Sequence, residues 1–271
     1  MSPKRPWIQK IFIMKTFKIL FLATIVSFSF TFIEHKPVLY IIGDSTVRNG
    51  DGTGRNGQVG WGSVIDVHFD TSKIDVRNLA IGGRSSRTFI TDGRWDKILE
   101  TLRKNDYVIM QFGHNDGGEL DDTARARGTI RGIGEDSTEI YNPIRKMREV
   151  VYSYGWYMRK YVNDTKARGA TAIVCSPIPR NEWKNGKVVR SGESYAGWAK
   201  QVAEQTGAHF IDLNDMIATE YEKMDTAKVH SFFPADHTHT SKEGAILNAQ
   251  KVVEGIKELK SCDLKKYLLN K

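Results

Sequence analysis

Val38-Leu39-Tyr40-Ile41-Ile42 runs directly into Gly43-Asp44-Ser45-Thr46. Five consecutive apolar residues are too few for a helix. They suit a strand buried on both faces, as in a parallel sheet. The small residues that follow stop the strand in a sharp turn. Such a turn leaves the Ser45 hydroxyl at the mouth of a sheet. A serine after a strand is a common turn residue. This one gains weight from Gly113-His114-Asn115-Asp116 in mid-chain and Asp236-His237-Thr238-His239 near the end. Together these blocks hold the residue types of a nucleophile, oxyanion donors and a base.

Outward from that strand, short apolar runs alternate with helical patterns. Ile74–Leu79, Tyr107–Phe112, Thr171–Ser176 and His209–Leu213 read as four more strands. Trp61–Val67, Trp95–Lys104, Trp156–Arg168, Tyr195–Thr206 and Ser241–Leu259 read as helices, with Gly169 and Gly207 as stops. Alternation of this kind predicts an α/β fold, a parallel five-stranded sheet with helices on both faces. Ligands of such sheets bind at the carboxyl ends of the strands. Ser45, Gly82-Gly83-Arg84 and Gly113–Asp116 each follow a strand and so fall on one edge. Residues 117–150 carry no clean period and are rich in Gly, Arg, Asp and Glu. They read as a long excursion over that edge.

The chain has 271 residues, within the range of a single α/β domain. Residues 1–33 stand apart. Lys10, Lys15 and Lys18 precede or flank the apolar stretch 19–28, and no acid occurs before Glu34. This is the pattern of a secretory signal peptide, with Met14 as an alternative start. Residues 34–271 are then one exported domain, periplasmic or extracellular, without stable membrane association once the leader is removed. Removing the five basic residues of the leader leaves 35 Lys and Arg against 32 acids, a net charge of +3 rather than +8. That excludes the strongly basic signature of nucleic-acid binding and is compatible with an acidic substrate. Cys175 and Cys262 have no metal-type spacing.

Each motif has a plainer rival. Gly52-Thr53-Gly54-Arg55-Asn56-Gly57 matches a dinucleotide fingerprint, but it starts nine residues after Ile42, where the fingerprint wants a glycine in the turn itself. A turn-rich loop fits better, and no cofactor is expected. Asp236-x-x-His239 places a carboxylate where it can hold an imidazole in one tautomer, or is a polar loop at a helix entry. Asp236, His237 and His239 with His114 and Asp116 could be metal ligands, yet no H-E-x-x-H or C-x-x-C spacing accompanies them. Asn115 is either a turn former or an amide donor to a developing oxyanion. Gly83 suits a close backbone approach to substrate. Arg84 and Arg87 are surface charges or bidentate partners of a sugar carboxylate. Among the tryptophans, Trp183 is the candidate sugar platform.

Gly43-Asp44-Ser45, Gly83, Gly113-x-Asn115-Asp116 and Asp236-x-x-His239, in that order, resemble the SGNH (GDSL-type) hydrolase superfamily. Gly82-Gly83-Arg84-Ser85-Ser86-Arg87, Gln111–Asp116, Tyr154-Gly155-Trp156-Tyr157 and Asp236–Ser241 are similar to the rhamnogalacturonan acetylesterases, a carbohydrate esterase family. The resemblance spans about residues 38–260. It implies a flavodoxin-like α/β/α sandwich and a serine esterase without metal, removing acetyl groups from a pectic glycan or from another such as xylan. It makes Ser45 the nucleophile, His239 the base and Asp236 its orienting acid. Gly83, Asn115 and the Ser45 N–H form the oxyanion hole. A sugar-binding protein without catalysis and a metal-dependent hydrolase are the rival classes.

Overall fold

A computed structural model describes residues 35–269. The expected leader over 1–33 lies outside the described residues, and residues 36–271 form one unit. Its centre is a parallel sheet of β1 (Val38–Gly43), β2 (Asp75–Asn78), β3 (Tyr107–Gln111), β4 (Thr171–Cys175) and β5 (His209–Ile211), in the order β2-β1-β3-β4-β5. Leu39 pairs with Val76 on one side and Tyr107 on the other, and Ile109 pairs with Ile173. This is the flavodoxin-like order. The strand order reverses between β1 and β3, all strands staying parallel, and this opens a crevice at their carboxyl ends.

The apolar runs carry two cores because side chains alternate across a strand. Leu39, Ile41, Ile109, Ile173 and Ile211 face one layer. There they meet Trp61 and two helices, α5 (Leu213–Tyr221) and α7 (Lys242–Glu258). Tyr40, Ile42, Val108, Met110 and Val174 face the other layer. They pack on α1 (Ser86–Thr91), α2 (Arg94–Leu99), α3 (Tyr154–Ala167) and α4 (Tyr195–Thr206). Each fully buried aliphatic side chain contributes about 1.5–3 kcal/mol by leaving water. A short helix α6 (Thr226–Ser231) precedes the loop that carries His239. Cys175 and Cys262 are both buried free thiols. No helix among the described residues is long and apolar enough to cross a membrane.

Three local differences from the sequence pattern matter. Trp61–Val67 is not one helix but two 3-10 turns, Trp61–Ser63 and Asp66–His68. The N–H groups of Trp61 and Gly62 donate to the carbonyls of Thr46 and Val47 instead, so this segment buttresses the turn that holds Ser45. Leu213 opens α5 rather than closing β5, because the Asp212 side chain accepts from Asp215 N–H and caps the helix. The excursion contains an antiparallel hairpin, Ser137–Asn142 with Met147–Tyr152. A smaller one pairs Trp183–Lys184 with Lys187–Val188.

Candidate active site

β1 is fully buried up to Gly43. A Cβ at Gly43 would come within 2.6 Å of both the Gln111 carbonyl and Val47, so only glycine allows the two strand ends to close this tightly. Asp44, wholly buried, accepts from Thr46 N–H at 2.9 Å and Thr46 Oγ1 at 2.8 Å, and its carbonyl accepts from Val47 and Arg48 N–H. Gln111 Nε2 donates to Thr46 Oγ1 at 2.6 Å, and Gln111 Oε1 accepts from Trp61 Nε1 at 2.9 Å. The turn that presents Ser45 is therefore fixed from beneath by a buried polar chain. Leaving a buried member of such a chain unpaired costs about 1–3 kcal/mol.

His239 arrives from the loop before α7. Its Nε2 lies 2.8 Å from Ser45 Oγ, and its Nδ1 lies 2.7 Å from Asp236 Oδ2. Asp236 Oδ1 also accepts from the N–H groups of Thr238 and His239, at 2.7 and 2.8 Å. Partial burial opposes ionisation of Asp236. The hydrogen bonds from the His239 ring and from the two N–H groups outweigh it and bring the carboxyl to about 2. An ionised carboxylate at Nδ1 keeps the proton there and leaves Nε2 to accept from Ser45. The loop is held to the serine side by two bonds across 181 residues: Val59 N–H donates to the Thr240 carbonyl, and Thr240 Oγ1 donates to the Val59 carbonyl.

Gly83 and Asn115 line the same cleft as Ser45 and His239. Gly83 has φ of +77°, and a Cβ there would meet only Arg127 Nη1, at an ordinary 3.8 Å, so the conformation rather than space calls for glycine. Among the described residues no backbone carbonyl takes up the N–H of Ser45 or of Gly83. Asn115 Nδ2 donates one hydrogen to the Arg84 carbonyl at 2.9 Å. That bond fixes the amide plane and leaves the second hydrogen for another acceptor. Behind it, Asp116 is completely buried. Its carboxyl accepts from Ser86 N–H at 3.0 Å and from the Ser86 hydroxyl. Burial raises this carboxyl to about 7, against the lowering effect of the two Ser86 bonds.

A hydroxyl, an imidazole and a carboxylate in series, in a cleft shared with an oriented amide and with Gly83, can carry out acyl transfer. Residues 41–245 match the model of the GDSL-like lipase/acylhydrolase family. The chain belongs to that family. It is 31% identical to a rhamnogalacturonan acetylesterase of Emericella nidulans over 219 residues, 80% of this chain and 84% of the relative. It is also 31% identical to a probable rhamnogalacturonan acetylesterase of Bacillus subtilis, covering 82% of this chain and 93% of the relative. Among solved structures, the YxiM protein of Bacillus subtilis superposes with a TM-score of 0.65 at 24% identity, over 82% of this chain and 56% of that one. The acetylxylan esterase Axe2 of Geobacillus stearothermophilus gives 0.56 at 19%, over 83% and 97%. At these identities the two structures speak to the fold alone.

In this GDSL-like hydrolase the serine opens into a cleft of about 690 Å³. Arg84 lines it, with Nε 2.7 Å from Asp92. Arg87 does not reach it. The side chain of Arg87, a residue of α1 itself, is wholly buried, with Nε donating to Glu149 at 2.6 Å and Nη1 to the carbonyls of Leu120 and Gly128. With these partners it fastens the excursion to α1, and it is removed from the substrate-binding candidates. Trp183 is likewise not part of the cleft wall: its ring packs against the core, and Nε1 donates to Asn181. Arg125, Arg127, Arg145 and Arg180 line the cleft instead. The arginine-rich composition of 117–150 was the available signal for the first three. His237 points to Arg180 and Glu182 rather than toward His239. Among the described residues no group of three or more His, Cys, Asp or Glu is placed to hold a metal ion.

Proposed function

We propose that the protein is an exported serine carbohydrate esterase that removes O-acetyl groups from an acidic, pectin-type glycan. The hydrogen-bonded series Ser45–His239–Asp236, at 2.8 and 2.7 Å, is the observation that carries the chemistry. Ser45 Oγ attacks the acetyl carbonyl while its proton passes to His239 Nε2. The tetrahedral oxyanion is stabilised by the N–H groups of Ser45 and Gly83 and by the free hydrogen of the Asn115 amide. Collapse expels the sugar oxygen, which takes the proton back from His239. Water, deprotonated by the same ring, then attacks the acetyl-serine and releases acetate. Throughout, Asp236 stabilises the imidazolium and fixes its tautomer.

The choice of an acidic glycan rests on the cleft lining, where five arginines stand with a single carboxylate, that of Asp92. Arg84 is partly spent on Asp92. Arginine forks match sugar carboxylates in bidentate geometry. The names of the two relatives at 31% identity point the same way. A neutral xylan is the alternative substrate, favoured only by the name of one structural neighbour. Acetate release from acetylated rhamnogalacturonan, homogalacturonan and xylan, measured side by side, separates the two. Preference for xylan would overturn the pectic assignment. Export rests on the basic residues and apolar stretch before Glu34. Amino-terminal sequencing of the protein recovered outside the cytoplasm checks it, and recovery only inside the cytoplasm counts against it.

A further inference from the structure

A second cavity, of about 480 Å³, opens at the same sheet edge between the ends of β3 and β4. Gly113, His114 and Gly117 line it from one side, Pro177 to Arg180 from another, and Ser194 and Tyr195 from the start of α4. His114 and Arg180 also line the cleft that contains Ser45, so the two spaces meet at a ridge made by these two side chains.

Two buried polar atoms on this lining have no hydrogen-bond partner among the described residues: His114 Nε2 and the Tyr195 hydroxyl. Buried polar groups are nearly always paired, so two orphans on one cavity point to a ligand with matching groups. Their chemistry is complementary. Burial lowers the His114 pKa, and the ring is hydrogen-bonded by the Ile178 backbone, which leaves a neutral imidazole with an acceptor to offer. Burial pushes the Tyr195 hydroxyl up to about 12, so it stays protonated and can donate. A sugar hydroxyl donates and accepts at once and satisfies such a pair. Pro177, Ile178, Pro179 and Val189 supply apolar surface for the C–H face of a sugar ring. Gly117 has no positive φ to require glycine, and a Cβ there would come within 3.3 Å of the Tyr195 hydroxyl. The missing side chain leaves room beside that hydroxyl.

We propose that this cavity is a second sugar-binding site, holding a unit of the same glycan chain whose ester lies at Ser45, with the chain crossing the His114–Arg180 ridge. This rests on the glycan-esterase reading above. Its test uses Val189→Trp, a large side chain at an exposed position on the cavity rim, and Tyr195→Phe, which removes only the unpaired hydroxyl. On acetylated rhamnogalacturonan oligosaccharides, kcat/KM of Val189→Trp should fall at least tenfold and that of Tyr195→Phe three- to tenfold. Turnover of an aryl acetate should stay within twofold for both. In a Ser45→Ala background, calorimetric titration with a deacetylated rhamnogalacturonan oligosaccharide should show the same weakening. Unchanged oligosaccharide kinetics and binding in both variants would overturn the second site while leaving the esterase reading intact. Aryl acetate turnover without acetate release from any glycan by the wild-type enzyme would overturn both.

Discussion

The cleft has two walls, and they are held in place differently. One carries Ser45 and the Asp236–His239 loop. It is made of short turns whose own side chains fix them: Asp44 on Thr46, Asp236 on Thr238 and His239. The other is the excursion from 117 to 152, which contributes Arg125, Arg127 and Arg145. Tyr141, Ile144, Met147 and Val150 lie exposed on it rather than packed into a core, and long-range charge helps to hold it. Buried Arg87 reaches two of its carbonyls and the Glu149 carboxylate, and Glu149 in turn accepts from Asn142 and Arg145 at 3.0 Å. On the reading proposed above, chemistry belongs to the wall built locally and recognition to the wall built at a distance. Change in the second wall can therefore alter the substrate without disturbing the triad.

The largest expected effect tests the first wall. Ser45→Ala removes the proposed nucleophile and should lower kcat by about 10⁴-fold or more on any acetyl ester, as loss of a triad serine does elsewhere. Among the described residues the Ser45 hydroxyl makes one side-chain hydrogen bond, to His239, so the unfolding midpoint should stay close to wild type. Residual turnover within tenfold of wild type would remove Ser45 from its role.

The second wall should break in another manner. Glu149→Gln leaves Arg87 buried beside a neutral partner. Removing one member of a buried pair costs about 3–5 kcal/mol, readable as a lowered urea midpoint at unchanged slope. KM for the acidic glycan should rise, while kcat on an aryl acetate changes little. A loss below about 0.5 kcal/mol, or equal losses on both substrates, would mean that the pair does not support the wall.

The same contrast explains what could be read from the chain. The sheet was legible because buried parallel strands are unbroken apolar runs, and all five expected strands are present within a residue or two. The spacing in Asp236-x-x-His239 was legible because a turn that local brings carboxylate and ring together by itself. The hairpin within 137–152 was not, since Glu139, Tyr141, Arg148 and Val150 lie exposed on its outer face and leave no clean alternation. Arg84 and Arg87 show the limit most directly. They sit three residues apart at the start of α1, yet one lines the cleft and the other is enclosed. What separates them is Glu149, 62 residues further along. No local pattern carries that information.

Asp116 joins the two walls, and its titration offers the finest test. Its carboxyl holds Ser86, next to the Gly83–Ser85 turn, while its carbonyl accepts from Thr129 N–H in the excursion at 2.9 Å. Burial raises the carboxyl from 3.8 to about 7. The folded chain then binds this proton more tightly than the unfolded chain does. The resulting stability is fully present below pH 3.8 and is lost as pH rises toward 7, by up to about 4 kcal/mol for a shift of this size. Asp236 acts in the opposite sense. Its lowered carboxyl stabilises above pH 3.8, and that contribution is lost as pH falls toward 2. Asp116→Asn keeps an acceptor for Ser86 and removes the titration. The stability of wild type relative to Asp116→Asn, from urea unfolding at pH 4.5 and 7.5, should therefore fall at the higher pH. A constant difference would show that Asp116 is ionised throughout, and that the joint between the walls is a fixed charge.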